Sequence, residues 1–343
     1  MEIQSILYVG EQTGNSLSRL NALRRLGFTV DVITPRLLLP QSVWVDRIFW
    51  KFSALPFEHF VNDGLKKALK SKDRYDLVWV NAGDYLMPSS VNILKTKADK
   101  IINYNTDDPF GGRDKLRHYG YLKAISLYDM IVVVRKVNIS EAYKRGAKKV
   151  HFEFMAADEV DHKPLELSDE DRSRYSSDVL FIGSWFPERG PFLTELINKG
   201  VPLTIAGKNW HKAPQWNILK KHVVAPNGLW GADYVKTIQC ARVCLGLLSE
   251  QNRDQHTTRS MEIPLLGSLF CGERTPEHES LYEDGVEAIF WDNAEQCAEK
   301  CLTLLKDQHL IDKIAENGQR KAAINANLNE AMISRVLENF TSL

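Results

Sequence analysis

The chain has 343 residues, with 44 basic and 44 acidic side chains and a net charge of zero at pH 7, so no global field gathers nucleic acid or an anionic membrane. Its 44% hydrophobic and 26% charged residues are those of an ordinary globular protein, and its length predicts two domains. No run nears the roughly 18 apolar residues of a membrane span.

The opening segment, 1–10, enters a strand directly without a basic lead, so no signal peptide is expected and the reading is cytoplasmic. Strands are predicted at 3–9, 28–34, 76–81, 100–104, 130–134 and 149–154, with a helix over 16–26 and helical pattern between later strands. The run 130–134 is wholly apolar, as in a strand buried on both faces. Strands alternating with helices specify a parallel sheet covered on both sides. The stretch 156–177 turns polar and reads as a linker carrying a short capped helix. Alternation then resumes, with strands at 178–183, 202–207, 223–225, 243–248, 268–272 and 287–291. Helices are expected at 190–199, 294–306, 311–325 and 330–340. The prediction is an α/β protein of two Rossmann-like domains, 1–160 and 175–325, followed by a C-terminal helical segment, 326–343.

Cys240 and Cys244, and Cys297 and Cys301, have i, i+4 spacing on apparent helices; Cys271 stands apart. Structural zinc favours closer cysteine pairs on turns. The five are read as reduced core thiols, and no metal ligand is assigned.

Loops that follow strands carry the candidate chemistry, because ligands of open α/β sheets bind at the carboxyl ends of strands. The loop after the first strand contains Gly10, Gly14 and Asn15, which suit close backbone approach or a tight, capped turn. Asn105-Thr106-Asp107-Asp108-Pro109 follows another strand. Its paired acids suit an acceptor-side base or a divalent cation, or the turn simply caps the next helix. Gly183-Ser184-Trp185-Phe186-Pro187-Glu188-Arg189 offers Arg189 to a diphosphate, or to Glu188 as a surface pair. After the next strand Lys208 is a second diphosphate candidate, and Trp210 a candidate wall for a base pocket or a core residue.

The richest stretch runs from Asp254 through His256-Thr257-Thr258-Arg259 to Glu262 and Gly267. A polar loop breaks into an apolar helix, the pattern of an anion site at a helix N-terminus. Thr258 is also a candidate N-cap. Glu262, inside an apolar helix, needs a partner: a ribose diol, or a salt bridge to Arg259 or Arg274. Farther forward, Trp44, Phe49, Trp50, Phe52, Phe57 and Phe60 crowd one segment with Arg47 and Lys51. They are read as packing or as a surface for a lipid-linked or glycan acceptor at a membrane.

These motifs resemble the GT-B glycosyltransferases, and within them the CgeB-like, spore-maturation-type branch. The resemblance rests on 183–190, on 206–210 and on 258–288, with weaker support from 105–109. It implies two Rossmann-like domains facing across a cleft, the first binding acceptor and the second a nucleotide-diphosphate sugar. It also implies a final helix that crosses back to the first domain. The family's retaining members carry a Glu-x7-Glu motif. Glu262 matches its second, ribose-binding glutamate, and Asp254 stands where the first contacts donor sugar. By the same resemblance Arg189 and Lys208 neutralise the leaving diphosphate, and Thr257 and Thr258 add helix N-terminal contacts. Ser184, His256 and Arg259 fall on the donor side; Gly10, Gly14, Asn15 and Asn105 fall on the acceptor side. Asp254, Asp107 and Asp108 are the catalytic candidates. No cofactor beyond the nucleotide-sugar substrate is implied, and the expected acceptor is a glycan, lipid-linked or cell-surface hydroxyl. Rival expectations are a sugar-nucleotide epimerase, a metal-dependent transferase using Asp107 and Asp108, and a non-catalytic binding scaffold.

Overall fold

A computed structural model describes residues 3–114 and 116–341. The chain forms two compact units. One comprises Met1–Phe154, Gln251–Arg253 and Asn329–Leu343, the other Met155–Glu250 and Asp254–Leu328.

The first unit holds β1 (Ser5–Val9), β2 (Thr29–Ile33), β3 (Leu77–Asn81), β4 (Ile101–Asn105), β5 (Met130–Val133) and β6 (Val150–Phe152). All pair in parallel in the order β2-β1-β3-β4-β5-β6. Order reverses between β1 and β3, which opens a crevice at their carboxyl ends. β5 is buried along its whole length, as its unbroken apolar run requires. The terminal helix Asn329–Thr341 buries Met332, Ile333, Val336 and Phe340 and packs against the helix Gly14–Arg25, where Arg25 pairs with Glu330 at 2.5 Å. Two helices whose bounds the sequence analysis did not place, Val43–Phe52 and Glu58–Leu69, bury Val45, Phe49, Val61 and Leu65 on this unit.

The second unit holds β7 (Ser177–Ile182), β8 (Leu203–Ala206), β9 (Val223–Ala225), β10 (Ala241–Gly246), β11 (Leu269–Glu273) and β12 (Ile289–Trp291). Their parallel order is β12-β11-β10-β7-β8-β9, so its crevice lies between β7 and β10. A short helix, Asp169–Tyr175, is capped by Ser168 and Asp171 in a reciprocal box. Cys240 ends the helix Gly231–Gln239 whereas Cys244 lies in β10, so this pair shares no helix face, contrary to its spacing. Cys271, Cys297 and Cys301 sit together in the core. Among the described residues no helix is long and apolar enough to cross a membrane.

Candidate active site

In the second unit the loops after β7, β8 and β9 enclose a pocket of about 210 Å³, lined by Gly183, Ser184, Gly207, Lys208, Gly228, Trp230, Tyr234 and Arg259 among others. Its backbone walls are close-set by necessity. A β-carbon on Gly207 would lie 1.9 Å from the Gly183 carbonyl oxygen, so only glycine fits there. Lys208 extends its ammonium over the Trp230 ring at 4.5 Å, and Trp230 is 62% exposed. An exposed indole beside a lysine and a glycine-lined turn offers a stacking face and a charge to one ligand.

Arg259 is the second cation of the pocket, lying over the Tyr234 ring and 2.7 Å from Glu262. Glu262 is only 1% exposed. Tyr234 donates its hydroxyl to it, and the His162 ring approaches at 3.5 Å. Because His162 accepts the Asp158 amide at Nδ1, its proton lies on Nε2, facing the carboxylate. Burial pushes the Glu262 carboxyl up, but Arg259, His162, Tyr234 and Thr258 outweigh it and hold the group below its ordinary range. Of the two partners expected for Glu262, the structure supplies the arginine: the carboxylate is shut in and fixes two pocket-lining side chains.

The other donor-side candidates have partners within the protein. Arg189 is buried between the Phe181 and Phe186 rings and donates to the carbonyls of Ser184 and Leu247. Burial lowers its pKa to about 10. It ties the loop after β7 to the end of β10 and lies outside the pocket lining. Ser184 does line the pocket. His256 is enclosed, accepting the Met155 amide at Nε2 and directing Nδ1 to Glu277 at 2.6 Å. Thr258 holds the N-cap position expected of it, but its side chain makes no capping hydrogen bond; its hydroxyl accepts from Arg259, and the Thr257 amide donates to the Ser260 hydroxyl. Asp254 accepts the Ser249 amide at 3.3 Å and stands near enough to Arg189 to act on its charge. Trp210 is a core residue, 1% exposed, with its indole N–H on the Gly183 carbonyl. Trp230, which the sequence analysis did not single out, lines the pocket instead, and its only sequence signal is an aromatic between Gly228 and Gly231.

In the first unit a smaller pocket, about 60 Å³, opens at the β1–β3 crevice between Gly10, Glu11, Gly83, Asp84 and Tyr85. Gly10 is held tight against Asn81 and Tyr8, while Gly14 begins the following helix at φ +52° and Asn15 is exposed beside it. Glu11, which the sequence did not single out, is half-buried; burial raises its pKa against the pull of Arg36. Tyr85 beside it is pushed up to about 12 by burial and by Glu11.

Asp107 and Asp108 do not act as a pair. Asp108 is buried and accepts from the Phe110 and Gly111 amides, Asn138 and Arg253. Burial alone would raise it, but Arg253 and Asn138 hold it ionised, which makes it an anchor and a poor base. Asp107 instead receives Arg117 at 2.9 Å, and the same guanidinium holds buried Asp84. The Asn105 side-chain oxygen Oδ1 accepts the Asp107 amide, and its Nδ2 is buried with no hydrogen-bond partner among the described residues. Asn105 thus shapes the turn that presents Asp107.

Residues 189–337 match the family described as glycosyl transferase-like. Among solved structures the whole chain is similar in fold to HepE of Anabaena, crystallised with UDP-glucose, at 13% identity and TM-score 0.69, covering 99% of this chain and 100% of that one. Sucrose-phosphate synthase of Thermosynechococcus elongatus gives 11% identity and TM-score 0.73, over 99% and 98% of the two chains. A glycosyltransferase of Rickettsia africae gives 14% and 0.65, over 100% and 99%. No curated protein matches the sequence. The chain thus has the two-domain α/β fold of GT-B glycosyltransferase structures, and its second unit carries the match to the glycosyl transferase-like family.

Proposed function

We propose that the protein transfers a sugar from a nucleotide-diphosphate sugar to a hydroxyl of a glycan, lipid-linked or cell-surface acceptor, with retention and without a metal ion. The observation that carries this reading is the second-unit pocket, where glycine backbone, Lys208, Arg259 and Trp230 converge. Glycine turns let a diphosphate approach the backbone, and two cations offset the charge that develops as it leaves. Trp230 suits stacking by the base. The UDP-glucose held by the similarly folded HepE favours a uridine donor. Glu262 works through Arg259 and Tyr234, and Arg189 through the loops it ties. Asp254 is the donor-sugar candidate. On the acceptor side, Asp107 and Glu11 are the acids best disposed toward an incoming hydroxyl.

The test is nucleotide release, a diphosphate from UDP-, GDP-, dTDP- and ADP-sugars and a monophosphate from CMP-sugars, followed with EDTA present and with or without a mixture of glycan and lipid acceptors. Acceptor-dependent release from one donor with a retained anomeric configuration supports the reading. Release abolished by EDTA sinks its metal-free part. A structure titled as a putative UDP-N-acetylglucosamine 2-epimerase from Listeria monocytogenes shares the fold at TM-score 0.59 and 10% identity. Sugar isomerised without acceptor would therefore replace transferase by epimerase.

A further inference from the structure

The segment 37–60 of the first unit leaves an apolar surface uncovered. Among the described residues, eight of the twenty exposed large hydrophobic side chains lie in it: Leu37, Val43, Trp44, Ile48, Trp50, Phe52, Leu55 and Phe60. Trp44 and Trp50, the largest, are 68% and 59% exposed. The helix Val43–Phe52 turns Val45 and Phe49 inward, and Phe49 stacks on Tyr85 at 4.1 Å. Its outward side has Val43, Trp44, Ile48 and Trp50 where a surface helix is normally polar. The charges on that side are cationic. Arg47 lies over Trp44 at 5.0 Å and Lys51 over Phe52 at 5.2 Å, while the helix's one acid, Asp46, is turned to Arg36 at 2.7 Å. Over 36–72 the chain has seven Lys or Arg against three Asp or Glu, a net of +4 in a protein whose total is zero.

We propose that this face docks on an anionic lipid bilayer. Indole rings favour the boundary between headgroups and acyl chains, and Arg and Lys lay their stems along apolar surface while their charges reach lipid phosphates. A protein partner's apolar groove would match the aromatics but leave Arg47 and Lys51 without counter-charge; an anionic surface satisfies both. The face also joins the candidate acceptor side. Arg117 lies over Trp50 at 4.8 Å and holds both Asp84 and Asp107. Docking would thus bring Asp107 close to the level of lipid headgroups, where a lipid-linked hydroxyl resides.

The test is sedimentation of the full-length protein with phosphatidylcholine vesicles and with vesicles carrying one third phosphatidylglycerol. Tryptophan emission is recorded in parallel. The expected result is binding to anionic vesicles with a blue shift. Trp44→Ala/Trp50→Ala should weaken it at least tenfold, and Arg47→Glu/Lys51→Glu should abolish it. Both variants change exposed residues, and their circular dichroism and melting should match wild type. No binding to anionic vesicles overturns the proposal. So does unchanged binding by the folded variants, or sedimentation velocity showing a dimer that the tryptophan variant dissociates, which would assign the face to a second copy of the chain.

Discussion

The Arg259 guanidinium and the Glu262 carboxylate lie 2.7 Å apart, three residues apart on one short helix, with the arginine facing the pocket and the glutamate sealed behind it. The pair converts a buried charge into a rigid mount for a ligand-facing one. Glu262→Ala should cost about 1–3 kcal/mol, because Arg259, 31% exposed, loses a charged hydrogen-bond partner while solvent screens the charge left behind. Glu262→Gln keeps the shape and should cost less. Chemical denaturation of both variants checks this, and equal, small losses would show that the pair contributes little.

Gly207→Ala places a methyl group against the Gly183 carbonyl, a wall of backbone that cannot rotate away. Overpacking of this kind costs about 1–3 kcal/mol. The variant should melt lower and lose nucleotide-sugar binding. Calorimetry that finds wild-type affinity would contradict the placement of the donor backbone.

Asp108 and Asp107 should separate in their effects. Arg253→Ala removes the cation that holds Asp108 and Glu141, and should destabilise the fold by about 2–4 kcal/mol because buried Asp108 loses its ionic partner and keeps only its neutral donors. Asp107→Asn should leave the melting temperature near wild type and lower kcat. A drop in kcat with Asp107→Asn and none in stability distinguishes an acceptor-side role from an anchoring one.

Acid should weaken the second unit through two groups. Burial lowers the His278 pKa to about 4, with its ring between Ser260 and the Glu273 carbonyl. Its free value is near 6.5, so the unfolded chain takes up the proton first. The neutral ring's contribution is whole above pH 6.5 and is lost as pH falls toward 4, up to about 3 kcal/mol. Glu262 has a depressed pKa, so its contribution is whole above the ordinary carboxylate value and is lost as pH falls from there through the depressed one. Urea midpoints measured from pH 7.5 to 4.5 should fall steadily, and His278→Asn should flatten the slope.

The sequence made the strands legible and left the side-chain directions open. All twelve expected strands are present, because runs such as Met130–Val133 and Leu77–Asn81 leave no polar face for a helix to expose. Strand ends located the loops at Ser184, Lys208 and Asp107 for the same reason. Spacing could not tell Trp210 from Trp230. Asn209 adopts φ +67° and begins a tight turn that rotates Trp210 into the core, a backbone choice invisible to periodicity. Nor could it tell Asp108 from Glu11. The partner that claims Asp108, Arg253, lies 145 residues away. Paired acids in one loop invite a shared role, whereas tertiary contact gives each its own.

The central claim, a nucleotide-sugar site in the second unit, is tested most directly by calorimetric titration of UDP-glucose into wild type, Lys208→Ala and Trp230→Ala with EDTA present. The account predicts micromolar binding to wild type, weakened at least tenfold in each variant while melting temperatures hold. Undiminished affinity in both variants, or no binding of UDP-glucose or any other nucleotide sugar to the wild type, would contradict it.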